Sequence, residues 1–418
     1  MSQSSSLVSA QNRVESPFII AEIGGYTFGN ASDMSSKQLL SSSMKVTFPN
    51  YMQGINVVKI NGAVNTYTLK MEYAVTETDD PNLLEKVFSS VSGTRKIKLS
   101  YGDWNTPSYI YKEEEAMITK ITSNIDFSAS RIVYSLSCVS TSLSLKAGSR
   151  SFNARTAKPS DVIMELLEDE STGLSQVFRG MSNSSNINLA SLIARDDKTV
   201  KIEAKESINV LDYVAYLVTC MESQNHVEGT IKDANYFLAV YDDVNNTYGG
   251  PYFKVVKVEA DSKYNLSYST YEVDVGYPSG SYVTSFTVNT DNTWSILYDY
   301  AEGVSLPQYT YSIDKDGNVV STKSPSITNS SRYLKTTASD KTWWTQVTQF
   351  PITAKITIKG LLRPTVLMSY LKVNAYFYGH KHISSGLYII TRQEDTVDSY
   401  GYKTTLSLTR VSGDTSYA

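Results

Sequence analysis

Two stretches of this chain, far apart in sequence, carry one pattern. Ala116–Ser140 (AMITKITSNIDFSASRIVYSLSCVS) runs beside Tyr388–Ser412 (YIITRQEDTVDSYGYKTTLSLTRVS) without a gap. Ile118 falls on Ile390, Thr119 on Thr391, Lys120 on Arg392, Ser135 on Ser407, Leu136 on Leu408 and Val139 on Val411. A unit duplicated across a long insertion suits a protein that builds a larger symmetric object. It does not suit a catalyst.

The surrounding pattern is that of β-structure. Tyr67, Leu69, Met71, Tyr73 and Val75 alternate, so one face of that strand is buried. Ile55 to Ile60 is an apolar run ending at Asn61-Gly62, a pair that tolerates positive φ and predicts a tight hairpin. A short helix is punctuated by Asp80, a free acceptor for N-terminal N–H groups, and Pro81. Strands, one short helix and strands again predict a mostly antiparallel sandwich or half-barrel. Between 157 and 223 the period changes. Ser160 is placed to cap a helix carrying Val162, Ile163, Leu166 and Leu167 and ending near Gly173, and Val210, Leu211, Val214, Leu217, Val218 and Met221 share one helical face. From 228 to 335 the chain is β-like and rich in Tyr and Asn, with Ser321 to Ser331 as a surface connection. Strands alternate once more from Ile352 to Val411.

Composition narrows the function classes. Of 418 residues 19% are charged, and 31 are Tyr against 12 Phe, so much of the aromatic bulk carries a hydroxyl that can face water or a partner. The net charge of −4 argues against a nucleic-acid binder, which needs clustered cations to neutralise phosphates. Cys138 and Cys220 are expected as reduced, buried thiols, which fits folding in a cytosolic compartment. The first thirteen residues lack the apolar stretch of a signal peptide and are expected to be a flexible arm, and no run reaches the length of a membrane span.

The ending carries a resemblance. KGLLRPTVLMSYLKVNAYFYG is followed, after a short gap, by SGLYIITRQEDTVDSYGYKTTLSLTRVSG. Pro364, Ser385-Gly386-Leu387-Tyr388, Gly401 and Thr404 to Arg410 resemble the closing module of tail or baseplate hub proteins of contractile-tailed bacteriophages, the late control protein D type. Tyr277 to Ala301 also resembles a segment of such hubs. The resemblance implies a mainly β fold with some α: two tube-like β-sandwich or half-barrel domains, 14–150 and 341–418, separated by a helical α+β subdomain, 151–227, and a β-rich insertion, 228–340. It implies a homotrimer of pseudo-sixfold symmetry in the virion, assembled in the host cytoplasm. Its partners would be a tail tube or tube-initiator protein, a spike protein and the tape-measure protein. DNA would pass through the channel without specific binding. No enzyme activity and no cofactor is implied. Trp343, Trp344, Tyr388 and Arg410 are the interface candidates.

Candidate chemistry is weak beside this. Glu113-Glu114-Glu115 could supply paired carboxylates, but neighbours on a strand point to alternate faces, and a solvated strand or loop is expected. A calcium loop from Asp314 would need Gly and an acid where Val319 and Pro325 stand, so a hairpin turn is expected. His380 and His382 lack a third ligand nearby and fit an exposed loop, and His226 stands alone. Adjacent Trp343 and Trp344 would place one ring in the core and one toward a partner. Two other readings stay open. A Tyr- and Asn-rich surface over 228–335 suits a carbohydrate- or receptor-binding tail protein, and a polysaccharide-degrading enzyme would need two carboxylates across a groove.

Overall fold

The computed structural model describes residues 5–6, 17–30, 51–60, 62, 64–76, 80–89, 96–103, 112–182, 189–222, 235–244, 246, 248–258, 270–276, 282–290, 309–313, 319–323, 352–360 and 366–413. The first described element is a two-residue strand, β1 (Ser5–Ser6). A first β-unit follows, made of β2 (Pro17–Ile23), β3 (Tyr26–Gly29), β4 (Met52–Ile60), β5 (Thr66–Ala74), α1 (Leu83–Ser89), β6 (Lys96–Asp103), β7 (Lys112–Asp126) and β8 (Arg131–Ser140). Its alternating side chains close one core: Leu69, Met71, Leu99, Tyr134 and Leu136 are fully buried, with Leu84 and Phe88 of α1 packed on them. As expected, α1 is initiated by Asp80, whose carboxylate accepts from the Asn82 N–H at 2.9 Å.

The middle of the chain holds β9 (Arg150–Phe152), β10 (Arg155–Ala157), α2 (Pro159–Glu168), α3 (Leu174–Val177), β11 (Val200–Ile202), β12 (Lys205–Ile208), α4 (Val210–Cys220), β13 (Asn235–Tyr241) and β14 (Tyr252–Val258). The apolar stripes of α2 and α4 face each other and the β13–β14 hairpin, forming a second core. Pro159, not Ser160, opens α2, and the Ser160 N–H and hydroxyl are both taken by the buried Asp197. The cap is supplied by tertiary structure. Asn209 caps α4 from sequence, accepting from the Asp212 N–H at 2.8 Å.

The second β-unit is assembled from β15 (Thr270–Val275), β16 (Val283–Thr290), β19 (Ile352–Lys359), β20 (Tyr370–Phe377), the short β21 (His380–Lys381), β22 (Gly386–Asp398) and β23 (Gly401–Gly413), with a separate hairpin of β17 (Tyr309–Ile313) and β18 (Val319–Lys323) between β16 and β19. The segment 228–340 is therefore not one unit among the described residues. β13–β14 join the helical core, while β15 and β16 pair with β20 and β19. The arm is tied at Ser5 and Ser6, which pair parallel with Tyr271 and Glu272 of β15. Cys138 and Cys220 are buried free thiols. No helix among the described residues is long and apolar enough to cross a membrane.

The two β-units have one strand order. The first runs β4-β5-β8-β7-β6-β2 and the second β16-β19-β23-β22-β20-β15. The last strand is the one difference in direction: β2 is antiparallel to β6, whereas β15 is parallel to β20. The shared irregularities are stronger evidence than the order. In β7–β8 the register shifts between Ile118 and Lys120, and in β22–β23 it shifts between Ile390 and Arg392. The threonine at each bulge, Thr119 or Thr391, donates its hydroxyl to the carbonyl of Ser137 or Ser407, at 3.0 and 3.3 Å. A matching bulge falls between Met52 and Gly54 of β4 and between Val283 and Ser285 of β16. Bulges are specific local deformations, so their coincidence marks duplication of a whole unit.

The structure corrects the alignment of the second strands. Asp126 and Arg131 enclose the four residues 127–130, whereas Asp398 and Gly401 enclose only 399–400. Ser137 and not Ser135 therefore corresponds to Ser407, and Cys138 corresponds to Leu408. A slip of two keeps every side chain on its own face, which is why the ungapped match looked sound. The shorter turn relies on Gly401 at φ +118°, a conformation L side chains rarely adopt.

Candidate functional site

The working feature of this architecture is the seam where the two units meet. The outer half of β22 pairs antiparallel with β4, from Arg392 opposite Ile60 to Val397 opposite Ile55. One continuous sheet thus crosses from the second unit into the first. Val397 and Tyr402, from the tip of the second unit's hairpin, are buried in the first unit's core. Burying side chains of this kind stabilises the junction by roughly 1.5 to 3 kcal/mol each. At the outer face, Asn56 donates to Glu394 at 3.1 Å and to Thr396 at 3.0 Å.

Beneath the seam lies a buried polar cluster where both units meet the middle of the chain. Lys59 and Glu114 form a fully buried ion pair, with Asp243 at 3.9 Å from the same ammonium. Tyr101 donates to Glu114 at 2.9 Å. From the second unit, Asp395 accepts from Gln393, Thr404 and Tyr402 at 2.9, 2.6 and 3.2 Å. Asp242, at the end of β13, accepts from Asn65, Tyr67 and Ser140 at 2.7, 2.9 and 2.5 Å. Burial pushes the Lys59 ammonium toward neutrality, but the charges of Glu114, Asp243 and Asp395 outweigh it and raise its pKa above the ordinary value. Burial also pushes the Asp242 carboxyl up to about 6, against the donors that favour its ionised form. One ammonium among several carboxylates, of which Glu114, Asp395 and Asp242 are each held by named donors, locks three parts of the chain in one relative position.

Glu114 corrects the expectation of a solvated acidic run. The three glutamates do alternate, but only the outer two sit near solvent, where Glu113 pairs with Lys98 at 2.5 Å and Glu115 with Arg179 at 2.7 Å. Glu114 is fully buried. Each carboxylate is engaged in an ion pair within the scaffold.

No protein-family model and no curated protein matches this sequence. Among solved structures, the 43 kDa tail protein of prophage MuSo2 from Shewanella oneidensis aligns over 96% of this chain and 100% of its own, with 11% identity and a TM-score of 0.50. A tail protein from Neisseria meningitidis MC58 aligns over 94% of this chain and 97% of its own, with 9% identity and a TM-score of 0.51. The fold is that of these two tail proteins.

Within the tail-protein fold, Tyr388 and Arg410 lie inside the second unit and not on a surface. Tyr388 is fully buried and donates to the Ser384 carbonyl at 2.7 Å, and Arg410, 2% exposed, donates to the Ser385 carbonyl at 2.7 Å. Both tie the Ser384-Ser385 turn to the sheet. Their sequence signal was strand alternation, and an arginine on the buried face of β23 is invisible without its carbonyl partner. Trp343, Trp344, His226, Pro364 and residues 314–318 lie outside the described residues. His380 and His382 are exposed on and beside β21, with His382 Nδ1 2.9 Å from the Ser384 hydroxyl. Sequence reasoning missed Lys59, Asp242 and Asp395. Lys59 and Asp395 sit on ordinary strands and Asp242 just past the end of β13, and only the pairing of β22 with β4 brings Asp395 toward Lys59.

Proposed function

We propose that this chain is a structural phage tail hub. Three copies form a ring of six β-units that adapts a sixfold tail tube to a threefold spike and leaves a channel for DNA. The observation that carries this reading is that two units of one strand order, with bulges at matching positions, are already joined edge to edge in one chain. A head-to-tail contact of that kind either closes into a ring or runs on as a filament, and closure leaves no sheet edge exposed. The proposed partners are two further copies, a tube or tube-initiator protein, a spike protein and the tape-measure protein, in a virion assembled in the host cytoplasm. A chain of net charge −4 offers few cations to grip passing DNA.

Native mass spectrometry and electron-microscopic class averages of the purified protein test the reading. A trimer with six lobes around a channel is expected. A strictly monomeric protein at the highest soluble concentration would overturn it.

A further inference from the structure

Superposing the two units strand by strand shows which edges still lack a neighbour. The outer half of β7 corresponds to the outer half of β22, so Ile121, Ser123 and Ile125 stand where Gln393, Asp395 and Val397 stand. By the same register, Phe286 and Val288 of β16 stand where Ile55 and Val57 of β4 stand. In the internal seam all five of the counterparts named in β22 and β4 are buried: Gln393, Asp395, Val397, Ile55 and Val57 are at most 2% exposed. In the other unit's edges they are open. Ile121 is 40% exposed, Ile125 is 51% exposed, and Phe286 and Val288 are only half-buried. Among the described strands, the outer half of β7 pairs with β8 alone and β16 with β19 alone.

We propose that the ring closes through a second β-seam between copies, in which the outer edge of β7 pairs antiparallel with β16 of the neighbouring copy, Ile125 opposite Phe286, Ser123 opposite Val288 and Ile121 opposite Thr290. This rests on the ring reading above and adds the strands and the register. The occupant of each edge is a second copy of this chain, because the matching edge already has that occupant inside the chain: β7 meets β16 as β22 meets β4. The seam is apolar where the internal one is ionic. Ile125 against Phe286 replaces Val397 against Ile55, and no counterpart of Lys59 is present, since Thr290 occupies its position. Two exposed isoleucines on an unpaired strand edge are an aggregation hazard in a monomer and a specific contact in a ring.

Disulfide trapping tests the register. Opposed residues of antiparallel strands alternate between hydrogen-bonded and non-hydrogen-bonded pairs, so two adjacent pairs are made: Ser123→Cys with Val288→Cys, and Thr122→Cys with Asn289→Cys. Mild oxidation of at least one pair should give covalent dimers and trimers on a non-reducing gel. The crossed pairs, Ser123→Cys with Asn289→Cys and Thr122→Cys with Val288→Cys, put the thiols on opposite faces and should not link. A separate variant, Ile125→Asp, should weaken self-association roughly 100-fold or more, while leaving the unfolding midpoint of the monomer unchanged. A native trimer that links in neither aligned pair, or links as well in the crossed pairs, overturns this seam and leaves the ring standing. A wild-type protein that is monomeric throughout overturns both.

Discussion

The hairpins β7–β8 and β22–β23 have one backbone and two chemistries. Each carries a bulge at the same place, stitched by a threonine hydroxyl to the facing strand. Past the bulge they diverge. The outer half of β22 buries Gln393, Asp395 and Val397 against β4, while the outer half of β7 holds Ile121, Ser123 and Ile125 toward solvent. What sets the shape of the unit is kept in both copies, and what decides the neighbour of each edge is not. Polar groups stand at the edge that closes inside the chain. There they are satisfied as the chain folds: Gln393 accepts from the Val366 N–H and donates to Asp395, which also accepts from Tyr402 and Thr404. An edge that closes later, between copies, gains from side chains that need no exact partner.

The largest expected effect separates the two edges directly. Lys59→Ala leaves Glu114 buried without its cation and should cost about 3 to 5 kcal/mol, read from urea unfolding followed by tryptophan fluorescence. Thr290→Ala, at the corresponding position of β16, should change stability by less than about 0.5 kcal/mol. The double variant Lys59→Met with Glu114→Leu should recover much of the loss, because a packed apolar pair replaces a buried ionic one at little cost. Equal losses at Lys59 and Thr290 would erase the distinction between an ionic and an apolar edge.

A pH dependence follows from the same cluster. The Asp242 carboxyl has a folded pKa raised to about 6, above its unfolded value, so the folded state binds the proton more tightly. Its contribution to stability is complete below about pH 4, and is lost as pH rises through 6. The size is on the order of 3 kcal/mol, from about two pKa units at 1.4 kcal/mol each. Other carboxylates, such as Asp212 and Glu394, are lowered and tilt the profile the opposite way. The measurement is therefore the difference between wild type and Asp242→Asn. That difference should slope between pH 4 and 6, and a flat one would place the Asp242 proton in solvent-like surroundings.

How much of this was legible in sequence depended on how local the cause was. The ITK and ITR segments at 118–120 and 390–392 marked the duplicated bulge, because alternation and a hydroxyl at one position survive in the letters. Asp80 announced α1 for the same reason. The two-residue slip between β8 and β23 stayed hidden, since turn length changes while the alternation keeps its phase. The membership of β15 and β16 in the second unit was also hidden, because a period of two says that a strand has a buried face and nothing about whose core it joins. Glu114 read as solvated in a run of three acids, and only the convergence of β4, β7 and the end of β13 around Lys59 makes its burial tolerable. Arg410 was legible as a strand residue, but its destination at the Ser385 carbonyl was not.

The smallest effect sharpens the comparison most. Thr119→Val and Thr391→Val each remove one hydroxyl and keep the branched shape. The bulge at Thr391 is half-covered by its surroundings, so the Ser407 carbonyl loses a partner that water replaces poorly, and about 1 kcal/mol should go. The bulge at Thr119 is exposed, water can reach the Ser137 carbonyl, and the loss should stay below about 0.5 kcal/mol. In an assembled ring the strand of the neighbouring copy would lie along Ile121 to Ile125, beside the first bulge. Thr119→Val should then cost about as much as Thr391→Val, measured as the shift in thermal midpoint of the isolated chain and of the oligomer. If the difference between the two threonines persists in the oligomer, the edge beyond Thr119 has remained open to water.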